Sequence, residues 1–200
     1  MKNNKILIGI FLVSLMITLS SCVVTSDNPL GNIDSSIDDP DLKGIWRIIP
    51  EEQDDESYLS ILEGKNGYLQ LITFTGGIDE VAVFRGFVTQ VGEDRYLNLQ
   101  YVGDVGSNMK FGDEYIFMYY FINGAGRLTL AAWNEDFFKK TVKEGRLKGN
   151  IKKTKTSLGF ADSNVRIQAN TDELIKFLNN NSKKEYLDEP TMFRRIRVEN

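Results

Sequence analysis

The chain reads as a mainly β protein: an antiparallel meander closing into a barrel or half-barrel, with two short α-helices. Three observations lead there. Beyond Leu42 the apolar residues fall into short runs, glycine-bearing turns separate those runs, and only two later stretches switch to helical spacing. Alternation is clearest where Leu97, Leu99 and Tyr101 share one side and Asn98 and Gln100 the other, so this strand is half buried.

The elements are justified in chain order. Lys2 and Lys5 form a basic start, Ile6–Leu19 is an apolar run, and Leu19-Ser20-Ser21-Cys22 ends it with small residues before the only cysteine. The run is shorter than the roughly 20 residues that cross a bilayer. Its layout is that of an export signal, with an ordinary secretory leader or an uncleaved helix as the competing readings. Leu19-Ser20-Ser21-Cys22 resembles the lipobox of bacterial lipoproteins. The resemblance implies that residues 1–21 are removed, that Cys22 becomes the acylated first residue, and that several chains anchor the protein where one alone binds only marginally. It also implies a place in the cell envelope. Val23, rather than an aspartate, follows the cysteine, which favours the outer membrane facing the periplasm if the bacterium has two membranes.

Residues 22–40 are rich in Ser, Asp, Asn, Gly and Pro and are expected to be a flexible tether, reaching on the order of 20–25 Å. Residues 41–200 form a single domain. Strands are expected at Leu42–Ile49, Ser57–Glu63, Tyr68–Thr75, Val81–Gln90, Arg95–Val102, Glu114–Ile122 and Leu128–Trp133. Gly64-Lys65-Asn66-Gly67, Gly92-Glu93-Asp94 and Asn123-Gly124-Ala125-Gly126 supply hairpin turns that tolerate positive φ. Strands joined this way pair as neighbours, which makes a meander.

Glu114–Ile122 differs from the rest, because Tyr115, Phe117, Tyr119 and Phe121 share one face and Ile116, Met118, Tyr120 and Ile122 the other. Both sides need cover, one by the sheet interior and one by a helix or a partner. The first helix follows Asn134 as its cap, has Glu135 and Asp136 in its first turn, and stops at Gly145. The second runs from about Asp172 to Asn180, capped by Asn170 or Thr171, and buries Leu174, Phe177 and Leu178. Short strands near Arg146–Lys153 and Val165–Ala169 and a closing strand at Met192–Val198 complete the reading.

Gly44-Ile45-Trp46 opens the first strand of the domain. It resembles the Gly-x-Trp signature of lipocalin-like barrels, which implies that Trp46 plugs the closed end and that a late arginine packs across it. Arg194, Arg195 and Arg197 are available for that role, and Arg195 is the candidate taken. A barrel of about eight strands can be filled by side chains or hold one small ligand. Tyr115, Phe117, Tyr119 and Phe121 are the candidate lining for an apolar or amphipathic ligand, with solid packing and the opposite face of the strand as alternatives.

Composition removes several function classes. The chain has no histidine, and its single thiol is assigned to lipid, so Ser-His-Asp and Cys-His catalysis and histidine-ligated zinc sites are excluded. Carboxylate chemistry remains, but Glu51, Glu52, Asp54, Asp55, Glu56, Asp79 and Glu80 lie in polar stretches between strands, where solvated loops account for them. No phosphate loop, zinc knuckle or calcium loop is recognisable, so neither a cofactor nor a metal is expected. With 24 basic and 28 acidic residues, loss of Lys2 and Lys5 leaves 22 against 28, a net charge of −6 that argues against nucleic acid. Against this background Lys139, Lys140, Lys143, Arg146, Lys148, Lys152, Lys153 and Lys155 form a basic segment. It can meet anionic headgroups or an acidic envelope partner, or be no more than a solvated face. The expectation is therefore a non-catalytic, lipid-anchored protein that binds a small ligand, or else a solid scaffold that docks an envelope partner through this segment or a sheet edge.

Overall fold

Alternating runs become strands here because one side of each can be buried by its neighbours. A computed structural model describes residues 24–49, 57–75, 81–104, 113–155 and 161–196. Their strands are β1 (Val24–Ser26), β2 (Gly44–Ile48), β3 (Ser57–Glu63), β4 (Leu69–Thr75), β5 (Val81–Val91), β6 (Asp94–Asp104), β7 (Tyr115–Ile122), β8 (Arg127–Ala132), β9 (Gly149–Lys155), β10 (Ala161–Ile167) and β11 (Thr191–Arg195). The helices are α1 (Glu135–Lys143), α2 (Thr171–Asn179) and α3 (Lys183–Tyr186), and Ile33–Ser35 forms a 3-10 turn. Asn66, Gly67, Gly92 and Gly126 take positive φ, as the expected hairpins require.

Strands β2 to β8 pair in sequence order, β7 bonds back to β6, and β11 lies between β8 and β2. The result is a closed antiparallel barrel of eight strands, a lipocalin-like architecture. Its interior is one apolar cluster drawn from every side of the barrel, including Trp46, Ile61, Leu71, Phe84, Leu97, Tyr120 and Leu128. The β3–β4, β5–β6 and β7–β8 hairpins, the start of β2 and the end of β11 share one end. Ile37 and Leu42, just before β2, insert their side chains into the core there and close it.

After β8 the chain leaves the barrel and builds a second layer on its outside. Strands β10 and β9 extend the sheet beyond β7 through β1, which pairs antiparallel to β7 but parallel to β10. Helices α1, α2 and α3 contribute to a second apolar cluster, with Phe138, Leu174, Phe177 and Tyr186 packed against the outward side of β7 and the apolar side of β10. Asn134 Oδ1 accepts from Phe137 N–H at 2.8 Å, and Asn170 and Glu173 exchange the two bonds of a capping box, so both longer helices start where the sequence places them. Helix α3 is an addition to the two expected.

Residues 24–40 correct the expectation of a flexible tether. They are part of the fold: Val24 and Leu30 are buried, Leu30 N–H donates to Asn98 Oδ1 at 2.7 Å, and Asp39 is buried at the barrel end. Asn98 is itself fully buried and reaches back to Thr89 Oγ1 at 2.9 Å. Gly31 approaches so closely that a Cβ on it would lie 2.7 Å from Thr89 Cγ2. A polar composition concealed a segment held by a few deep contacts.

Candidate functional site

Strand β2 begins at Gly44 with φ +145°, a region that favours glycine, and two residues later Trp46 points inward with no exposed surface. Its indole Nε1 donates to Leu42 O at 2.9 Å, so the one polar atom of the plug is satisfied. From β11, which is antiparallel to β2 with Arg195 opposite Trp46, the Arg195 guanidinium stacks over the indole at 4.6 Å and donates to Asp41 O. A Cβ at residue 44 would sit 3.5 Å from that guanidinium. The structure thus brings Trp46 and Arg195 together at the closed end, with Gly44 beneath the cation.

Beside the plug lies a polar clamp that sequence reasoning missed. The Asp39 carboxylate is buried and accepts from Tyr120 Oη at 2.9 Å and from Arg95 Nη1 at 2.6 Å. Burial, then the hydrogen bond to Asp39, holds the Tyr120 phenol well above its ordinary range. Within Asp38-Asp39-Pro40 nothing but a solvated turn is legible, because the partners come from β6 and β7. A second phenol pair, Tyr96 Oη to Tyr186 Oη at 2.8 Å, ties β6 to α3, and burial also raises Tyr96 far above the ordinary tyrosine range.

The aromatic row of β7 lies outside the barrel, which corrects its candidate role as interior lining. Phe117 belongs to the outer cluster, Tyr115 and Tyr119 pack against that cluster, and Phe121 is 44% exposed. The reason is the second layer: Trp133 stacks on Phe138 of α1 at 4.4 Å and tilts onto Phe117 at 4.5 Å, so a helix covers the odd-numbered face. The opposite row, Ile116, Met118, Tyr120 and Ile122, faces the barrel core. Tyr115 also borders a cleft of about 420 Å³ with Phe87, Tyr68 and Pro29, between the barrel wall and the N-terminal segment.

The basic segment is spread over α1, the turn after it and β9. Lys140, Lys143, Arg146, Lys148 and Lys152 are exposed, while Lys139 is paired with Glu135 at 2.8 Å and Arg146 with Glu144 at 2.9 Å. Lys153 and Lys155 hold the register positions opposite Ser163 and Ala161. Strand β9 ends the sheet order, and lysines there discourage edge-to-edge pairing with another chain. Cys22, the leader, and the acidic residues Glu51, Glu52, Asp54, Asp55, Glu56, Asp79 and Glu80 lie outside the described residues. Among the described residues no group of three or more Cys, Asp or Glu side chains is arranged to hold a metal ion.

A groove of about 730 Å³ runs past the closed end, bordered by the β7–β8 hairpin, by β2 and by the last residues of β11. Arg47, Arg127, Arg194 and Arg195 all reach it, and Asp41 is on its wall. No known family, no curated protein and no solved structure matches this chain.

Proposed function

We propose that the protein is a non-catalytic envelope lipoprotein, anchored through acylated Cys22, whose barrel is a solid docking module. The observation that carries the reading is the filled barrel: Trp46, Ile61, Leu71, Leu97, Leu99, Tyr120 and Leu128 are each at most 4% exposed, and they come from strands all around it. With these side chains buried, this reading gives that part of the interior to packing and leaves binding to the outer surface. Candidate partners are the membrane itself and an envelope protein with an acidic surface facing Lys140, Lys143, Lys148 and Lys152. A catalytic role has no support from the buried groups described above, which hydrogen-bond to one another.

The anchor gains meaning from β1. Val24 is already buried in the sheet, and two residues of chain span at most about 7 Å, so acylation of Cys22 holds the domain against the lipid instead of on a leash. Exposed Lys152 stands beside that point, since Val24 pairs with Val165 and Val165 with Ile151. An outer-membrane location facing the periplasm is the form of this proposal in a bacterium with two membranes. Labelled palmitate tests it: wild type incorporates label and sediments with envelopes, and Cys22→Ser does neither. Unlabelled wild type overturns it.

A small-ligand carrier is the second reading, favoured by one feature. Ser57, on the Leu59 face of β3 at the end opposite the plug, has a buried Oγ with no hydrogen-bond partner among the described residues. Native mass spectrometry of the chain extracted from envelopes separates the two: a retained lipid mass supports the carrier, and an empty barrel the docking module.

A further inference from the structure

Closure of the barrel creates a row of like charges that no stretch of sequence contains. Arg194 of β11 pairs directly with Arg47 of β2 on one side and with Arg127 of β8 on the other. Their neighbours Phe193, Trp46 and Leu128 point into the barrel core, so all three arginines share its outer face. Arg127 and Arg194 are exposed, and no carboxylate among the described residues is ion-paired with either. Adjacent strands are about 4.8 Å apart, so the row spans roughly 10 Å. Arg195, turned the other way onto Trp46, adds a fourth cation along the same groove.

Like charges directly opposite one another destabilise a sheet, and Arg127 and Arg194 lie exposed outside the core. A planar guanidinium fork is the group best matched to phosphate and carboxylate oxygens. We propose that this groove is a binding site for an anion carrying two or more phosphate groups, held across β8, β11 and β2 by Arg127, Arg194 and Arg47. Asp41, the acid on the groove wall among the described residues, lies toward Arg195, whose guanidinium donates to its backbone carbonyl, and not in the row itself. The β7–β8 hairpin, Asn123–Gly126, forms the other wall and offers backbone to a ligand at close range. The site is independent of Cys22, so it stands whether or not the chain is acylated.

The test uses the full chain purified in a neutral detergent. Thermal unfolding is followed with sodium tripolyphosphate, with orthophosphate, and with sodium chloride at matched ionic strength. Tripolyphosphate is expected to raise the melting temperature well beyond the other two, as a ligand of the native state must. Arg194→Gln and Arg127→Gln each weaken the half-saturating concentration about tenfold or more, whereas Lys140→Gln on α1 leaves it unchanged. Without added anion the two arginine variants melt at or above the wild-type temperature at low salt, which shows that they fold. Monomeric short-chain cardiolipin, whose headgroup carries two phosphates, identifies the source: an Arg194-dependent shift with it points to lipid headgroups, and a shift with tripolyphosphate alone points to a soluble or polymeric phosphate. An equal response in Arg194→Gln and wild type, or an equal response to chloride, overturns the proposal.

Discussion

At the scale of single residues, the closed end is a stack in which each side chain has one defined job. Gly44 supplies a backbone conformation, Trp46 fills the barrel end, and Arg195 covers the indole while reaching Asp41 O. Truncation of a fully buried tryptophan costs about 3–5 kcal/mol, so Trp46→Ala is expected to move the urea midpoint by the largest amount of any change at this end. Arg195→Gln removes an exposed cation–π contact worth about 0.5–1 kcal/mol and should shift the midpoint only slightly. Equal effects of the two would mean that the tryptophan is not the plug. The buried phenols give a pH signature. Tyr96 and Tyr120 have folded values raised above 10, chiefly by burial, so their contribution is intact below pH 10 and is lost progressively as pH rises above it. Unfolding free energy is therefore expected to fall steeply in alkali, and Tyr96→Phe should flatten that fall; an unchanged slope would deny the coupling.

At the scale of elements, the N-terminal segment is structural. Leu30 N–H, Asn98 and Thr89 form one buried chain of hydrogen bonds, and β1 stitches β7 to β10. Asn98→Ala leaves a buried donor unpaired, which costs about 1–3 kcal/mol. A chain beginning at Asp41 is expected to lose cooperative unfolding altogether, as read by near-ultraviolet circular dichroism. Retention of a native spectrum by that truncated chain would restore the tether. These elements also show what a sequence displays and what it conceals. Strands β3 to β8 were legible because alternation and turn residues coincide, and α1 and α2 because caps and apolar stripes do. The segment 24–40 was not, since Val24, Leu30, Ile33 and Ile37 are scattered without a period through a polar run and the partner of Leu30, Asn98, is far along the chain. Helix α3 buries a single side chain, Tyr186, so it has no stripe, although Glu185 accepting from Ser182 N–H is a cap signal that could have revealed it. The faces of β7 were undecidable because both carry an apolar row, one turned to the barrel core and one packed in part against α1.

At the scale of the molecule, closure of the barrel determines what the surface can do. At one end Arg195 of β11 stacks over Trp46 of β2. The arginine row was invisible in the sequence, as its members are brought together only when β11 slides between β2 and β8. A packed core behind the plug, a sheet that already includes Val24, and cationic outer surfaces are the features behind the proposal of a module that works from the outside, close to lipid. The most direct measurement of that account is the native mass of the protein released from envelopes. Residues 22–200 with covalently attached acyl chains and no retained small molecule is the expected result. An unacylated chain, or a stoichiometric lipid held in the barrel, would contradict it.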